Sequence, residues 1–173
     1  MRTLFIWIAG AFVFGSFYHM VSEKEALLRN GQTVYLALAP VDPRSFMQGD
    51  YMELNYAIMN QLNHDQFDST QPKPPKSGTV VIRIDAQNVG TFARLYQGGA
   101  LAPGEYLLKY HHDGWRAVIG AESFFIPEGT GDTFAKAIYG ELKLEPDGTP
   151  LIVALCDKDR QRIIAPQTEP DHK

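Results

Sequence analysis

Residues 3–22 contain no Asp, Glu, Lys or Arg, and Arg2 is the one charged side chain ahead of Glu23. The stretch is built on Leu4-Phe5-Ile6-Trp7-Ile8 and Ala11-Phe12-Val13-Phe14. Twenty helical residues span about 30 Å, the thickness of a bilayer hydrocarbon core. Gly10 and Gly15 weaken a helix in water but are tolerated in one that crosses lipid, and Tyr18 and His19 stand where an interfacial belt belongs. A buried core helix needs a polar face, which this segment lacks. A cleaved leader would have Arg2 as its whole basic region and poor small-residue cleavage sites such as Val13-x-Gly15. These features predict an uncleaved signal anchor over 1–22, in the bilayer through residues 3–22, with the cleaved leader as the alternative. Arg2 keeps the short side cytoplasmic and sends the rest across the membrane.

The exported part loses one of the 16 basic residues and none of the 20 acidic ones, so it is more acidic than the whole chain, whose formal net charge is -4. Clustered Lys and Arg are what neutralise phosphates, so this balance argues against nucleic acid and against anionic lipid as partners. With 45% apolar and 21% charged residues over 173 positions, the chain has the makings of one domain with a packed core. Its single cysteine, Cys156, excludes an intramolecular disulfide and a cysteine-based zinc cluster.

Past the anchor, Ser22-Glu23-Lys24-Glu25 fits a capping box and Asn30-Gly31 a helix stop. They predict a short helical stalk over 23–31; the alternative is an anchor helix that runs on to residue 29. Strand patterns follow. Residues 33–38 are β-prone, and 50–56 alternate with Met52, Leu54 and Tyr56 on one face and Tyr51, Glu53 and Asn55 on the other. A helical turn is predicted at 57–62, then a polar loop containing Pro72-Lys73-Pro74-Pro75-Lys76. Strands at 79–86 and 90–96 precede a hairpin, 105–112 with 115–119, around Asp113-Gly114, its second arm extended by 122–126. After a helical turn at 131–136, strands at 139–145 and 151–156 flank Pro146-Asp147-Gly148, and a last strand is predicted near 162–165. The prediction is a mainly β fold: one β-sandwich or partly open β-barrel over 32–166 with one or two short helices, and a frayed tail over 167–173.

Gly49-Asp50-Tyr51, Leu54 and Tyr56 spell G-D-Y-x-x-L-x-Y. With Pro40-Val41-Asp42-Pro43-Arg44 upstream and Pro127-Glu128-Gly129 downstream, the chain resembles the GDYXXLXY family of bacterial membrane-anchored proteins. The resemblance covers most of the chain. It implies an anchored, mostly β domain on the extracytoplasmic side of the bacterial cytoplasmic membrane, with a multi-pass membrane protein as the usual encoded neighbour. It implies no enzymatic activity.

The residues of the motif have physical uses of their own. Gly49 can close the preceding turn, and Asp50 can accept from turn amides or pair with Arg44. Leu54 and Tyr56 point inward and Tyr51 outward, which makes a turn-plus-strand lock. The functional alternative has Asp42, Arg44, Asp50 and Glu128 lining a polar site or a docking surface. No catalytic, metal or cofactor set emerges. His111-His112 alternate across a strand, so both cannot easily bind one metal. His64, Asp65 and Asp68 fall in the polar loop, and Cys156 ends the apolar run Leu151-Ile152-Val153-Ala154-Leu155. Exported peptidases of the signal-peptidase type also join an anchor, a β domain and a G-D turn. The place of their nucleophile is held here by Val41, Ser45 lacks the surrounding motif, and Lys73 and Lys76 lie in the polar loop. The functional expectation is a non-enzymatic, anchored accessory protein that docks a multi-pass membrane partner. A small-ligand or envelope-polymer binding module is the alternative, and a hydrolase the least supported.

Overall fold

The computed structural model describes residues 2–39, 47–48, 51–62, 75–114 and 116–165, without the side chains of 2–6, 8, 9, 23, 47 and 48. Helix α1 (Arg2–Asn30) opens the chain. It passes through Ser22 without a break, so the capping box is not used and stalk and anchor segment are one helix. The reason is local: Glu23 to Arg29 are mostly strong helix formers, and extending a helix costs less than nucleating a second one. Among the described residues no helix is long and apolar enough to cross a membrane.

Gly31 alone separates α1 from strand β1 (Gln32–Ala37). The junction is tied from both sides. Lys24 pairs with Glu145 at 2.8 Å, and the Lys143 ammonium donates to the Gly31 carbonyl and to Thr33 Oγ1, both at 3.0 Å. Leu27 on the last turns of α1 is buried.

Ten strands are present among the described residues, in three antiparallel sheets that together make a half-barrel. The first orders β1, β9 (Tyr139–Leu144) and β10 (Pro150–Cys156). The second joins β2 (Met47–Gln48), β3 (Tyr51–Glu53) and β8 (Ser123–Phe125). The third orders β5 (Gly90–Leu95), β4 (Ser77–Ile84), β6 (Glu105–Asp113) and β7 (Arg116–Val118). Single bridges stitch these sheets together: Tyr35 to Val89 links the first to the third, and Leu38 to Tyr56 links β1 to the end of the motif segment. Their inner faces meet in one core that includes Val34, Leu36, Leu54, Tyr56, Ile82, Leu108 and Leu142.

Both hairpins predicted from turn residues are present. Asp113 pairs with Arg116 to close β6 onto β7, and Glu145 and Thr149 close β9 onto β10 through a 2.9 Å bond. The helical turns also form, as a 3-10 helix over Ala57–Leu62 and as α2 (Gly131–Phe134). Two expectations need correction. Residues 122–126 do not extend the arm of β7. The Glu122 carboxylate accepts from the amides of Ile119 and Gly120 at 2.5 and 2.9 Å, and this turn redirects the chain so that β8 pairs with β3 instead. The strand predicted near 162–165 reduces to one bridge, Cys156 to Arg162, because the Asp157 carboxylate gathers the amides of Asp159 and Gln161 into a tight turn.

Candidate functional site

The motif segment divides into two halves with opposite exposures. Met52, Leu54 and Tyr56 are buried, as their alternation predicts, and Tyr51 is 59% exposed. The buried half is held by backbone as well as packing. Leu54 donates its amide to the Glu122 carbonyl at 2.6 Å, and Ala39 donates to the Asn55 carbonyl at 2.7 Å. The Tyr56 phenol donates to the Ala121 carbonyl at 2.7 Å from a fully enclosed position. Burial pushes its pKa far up, with the nearby Glu122 carboxylate adding to the rise, so the phenol stays a neutral donor. Gly140 of β9 makes room for the ring: a Cβ there would stand 3.1 Å from Tyr56 Cε1. Leu54 and Tyr56 are thus the lock that their position on the inner face suggests.

The outer half forms a surface. Tyr51 lies directly opposite Phe125 in the β3–β8 register. Their rings meet edge to face, with centroids 5.6 Å apart at 77°. Phe125 is 60% exposed, so both members of the pair face solvent. Next to them Glu53 pairs with Arg116 at 2.7 Å, which fixes β3 to β7 across the same face. Behind the sheet, Phe124 packs on Phe134 of α2 at 6.0 Å.

Of the polar residues expected to converge, Glu128 lies on an exposed turn. Asp42, Arg44, Gly49 and Asp50 lie outside the described residues, as do Val41, Ser45, His64, Asp65, Asp68 and Lys73. His111 is exposed and His112 half-buried, with Nε2 3.2 Å from the Leu62 carbonyl. Among the described residues no three His, Cys, Asp or Glu side chains gather as a metal site.

The buried charges are committed to structure. Glu105 accepts from Arg94 at 2.7 Å and from the Ala102 amide at 3.1 Å, with Arg83 at 3.5 Å. The Arg94 hydrogen bond is the main reason its carboxyl is lowered to about 2. Glu141 receives Nε and Nη2 of Arg162, each at 2.7 Å, in a forked pair. The buried Cys156 thiol sits 3.9 Å from the same carboxylate. Burial first, then that carboxylate, raises the thiol to about 11, so it is a poor nucleophile at neutral pH. On the surface, the Lys109 ammonium bonds Asp147 at 2.5 Å and holds that carboxyl down at about 2.

Three partners escape a reading by sequence alone: Phe125, Glu122 and the Glu141–Arg162 pair. The alternation of Ser123-Phe124-Phe125 signals a strand, but nothing local says that its neighbour is residue 51. The arrangement defines a class: a mainly β half-barrel that follows a long N-terminal helix, with the motif segment locked inside at Leu54 and Tyr56 and Tyr51 paired with Phe125 outside. The family model of the GDYXXLXY protein matches residues 13–155, and the chain belongs to that family. No curated protein and no solved structure matches it.

Proposed function

We propose that this chain is a non-enzymatic accessory subunit, anchored in the bacterial cytoplasmic membrane by α1, whose extracytoplasmic β domain docks a multi-pass membrane protein through the face carrying Tyr51 and Phe125. The observation that carries the proposal is the aromatic pair itself. Two large rings stand more than half exposed on adjacent strands, while the other large apolar side chains of the motif segment, Met52, Leu54 and Tyr56, are enclosed. Aromatic side chains with one free face are the usual anchors of an interface, and here a rigid strand pair holds them in place.

The membrane part rests on the sequence of residues 3–22 and on the exposure of the described side chains of α1. Phe12, Val13 and Phe14 are 75%, 63% and 77% exposed, and three consecutive helical residues point in three directions. Phe17, Tyr18 and Val21 continue the exposed apolar surface. A helix apolar on every side belongs in lipid or between other apolar helices. The non-enzymatic part is supported by the commitment of Glu105 and Glu141 to arginine partners and by the raised thiol of Cys156.

The test is crosslinking in native membranes, followed by affinity purification and mass spectrometry of the full-length protein. A multi-pass partner recovered with the wild type, and lost with both Tyr51→Ala and Phe125→Ala, supports the proposal. Recovery of the chain alone after repeated crosslinking sinks it, and so does a partner that both variants retain.

A further inference from the structure

Where α1 meets the β domain, a mainly apolar groove of about 490 Å³ lies open to solvent. Ala26 and Leu27 of α1 form one wall, and Leu101 and Leu107 lie across from them. Asn30, Gln32, Tyr106 and Glu145 supply the polar groups of its lining. The volume falls within the roughly 300–1,000 Å³ of small-ligand sites. Its one charged lining group, Glu145, is already paired with Lys24, and leucines and alanine make much of the rest. An apolar chain is the ligand such walls accept.

The position of the groove says where that chain comes from. Helical rise puts Ala26 about 7.5 Å and Asn30 about 13.5 Å beyond Val21. The headgroup layer of one leaflet is roughly 5–8 Å deep. With the apolar segment of α1 in the bilayer, the groove begins at the top of the headgroups, and Lys24, 53% exposed at its side chain, lies just below it. We infer that the groove receives one acyl chain of a membrane phospholipid. The inference rests on the membrane part of the proposed function. A chain that enters this groove takes the leucine walls out of water, which is where the gain arises. The chain's own C-terminal residues 167–173 contain no Leu, Ile, Val, Phe or Met that could fill it.

The experiment uses the full-length protein in phosphatidylethanolamine–phosphatidylglycerol vesicles doped with a phosphatidylcholine that carries a diazirine in one acyl chain. After irradiation, adducts are mapped by mass spectrometry. Adducts at 26–32 and 101–107, beside those along 3–22, are the expected result. Leu101→Glu changes a side chain that is 37% exposed and lies outside the strands, and it should lower the groove adducts about tenfold with those along 3–22 unchanged. Adducts confined to 3–22, or groove adducts that Leu101→Glu leaves intact, overturn the inference and spare the anchor. In a parallel sample treated with a bifunctional photoreactive crosslinker, two chains joined through 26–32 or 101–107 overturn it in favour of a second copy. A protein washed off the vesicles by alkaline carbonate overturns the membrane reading, and this inference with it.

Discussion

The phenol of Tyr56 reaches across 65 positions of the chain to the carbonyl of Ala121, at 2.7 Å. Ala121 precedes β8, the strand whose Phe125 faces Tyr51 at the other end of the motif. One stretch, 121–125, therefore holds the motif segment at both ends: by a buried hydrogen bond at the inner end and by an exposed ring contact at the outer one. Tyr51 and Tyr56 thus meet the same short stretch from the two ends of one segment.

Tyr56→Phe keeps the ring and removes the donor, leaving the buried Ala121 carbonyl without this bond. Stability should fall by about 1–2 kcal/mol. Tyr51→Ala, at an exposed site, should change stability by about 0.5 kcal/mol or less. Urea denaturation of the two variants separates lock from surface. Equal losses in the two would mean that Tyr56 does not lock the segment more than Tyr51 does.

Acid should weaken the fold in a defined window. Glu105 and Asp147 both have folded-state values of about 2, below their ordinary 4.5 and 3.8. A depressed carboxyl adds stability above its unfolded value, and the contribution is lost as pH falls toward the folded one. Stability should therefore decline from about pH 4.5 toward pH 2, and Glu105→Gln should flatten that decline. The check is the unfolding midpoint measured across the range for wild type and variant. An identical slope in the two would remove Glu105 from the account.

Arg162→Ala strands the Glu141 carboxylate, whose side chain is 5% exposed, without its forked partner. The guanidinium is 57% exposed and so partly screened. A loss of about 1–2 kcal/mol is expected. Arg162→Lys should recover part of it, since an ammonium supplies the charge but not the fork. Thermal melts of the three proteins decide it, and a lysine variant no better than alanine would point to packing rather than charge.

Gly148 turns β9 into β10 at φ +88, and a Cβ there would sit 2.9 Å from the Leu107 carbonyl carbon. Gly99 has a similar φ of +97 but open space around it. Gly148→Ala should cost about 1–3 kcal/mol and Gly99→Ala less, because backbone strain is common to both and the clash is not. Matched denaturation curves test the order.

What could be read from sequence was what is local. Asp113-Gly114 and Pro146-Asp147-Gly148 announce hairpins because the turn and its two arms lie within about twenty residues. The inward set Met52, Leu54 and Tyr56 follows from alternation alone. The pairing of β3 with β8 was not readable, since each is three residues long and nothing nearby encodes a partner about seventy positions away. The redirecting turn at 119–122 depends on a glutamate side chain serving two amides, a role composition does not mark. Of the candidate site, the exposure of Tyr51 and the burial of Leu54 and Tyr56 follow from alternation, whereas Phe125, the partner that gives Tyr51 its meaning, reads in the sequence as the arm of a different hairpin.

The connection from α1 to β1 is short and braced. One residue, Gly31, intervenes, and the Lys24–Glu145 pair and the bonds from Lys143 brace it from the side of β9. A flexible tether would let the domain swivel and search; this joint makes helix and sheet a crank. Rotation or tilt of α1 is delivered as torque to β1 and β9, and through the Leu38–Tyr56 bridge to the motif segment. The angle at which Tyr51 and Phe125 are presented is therefore set by the orientation of the helix.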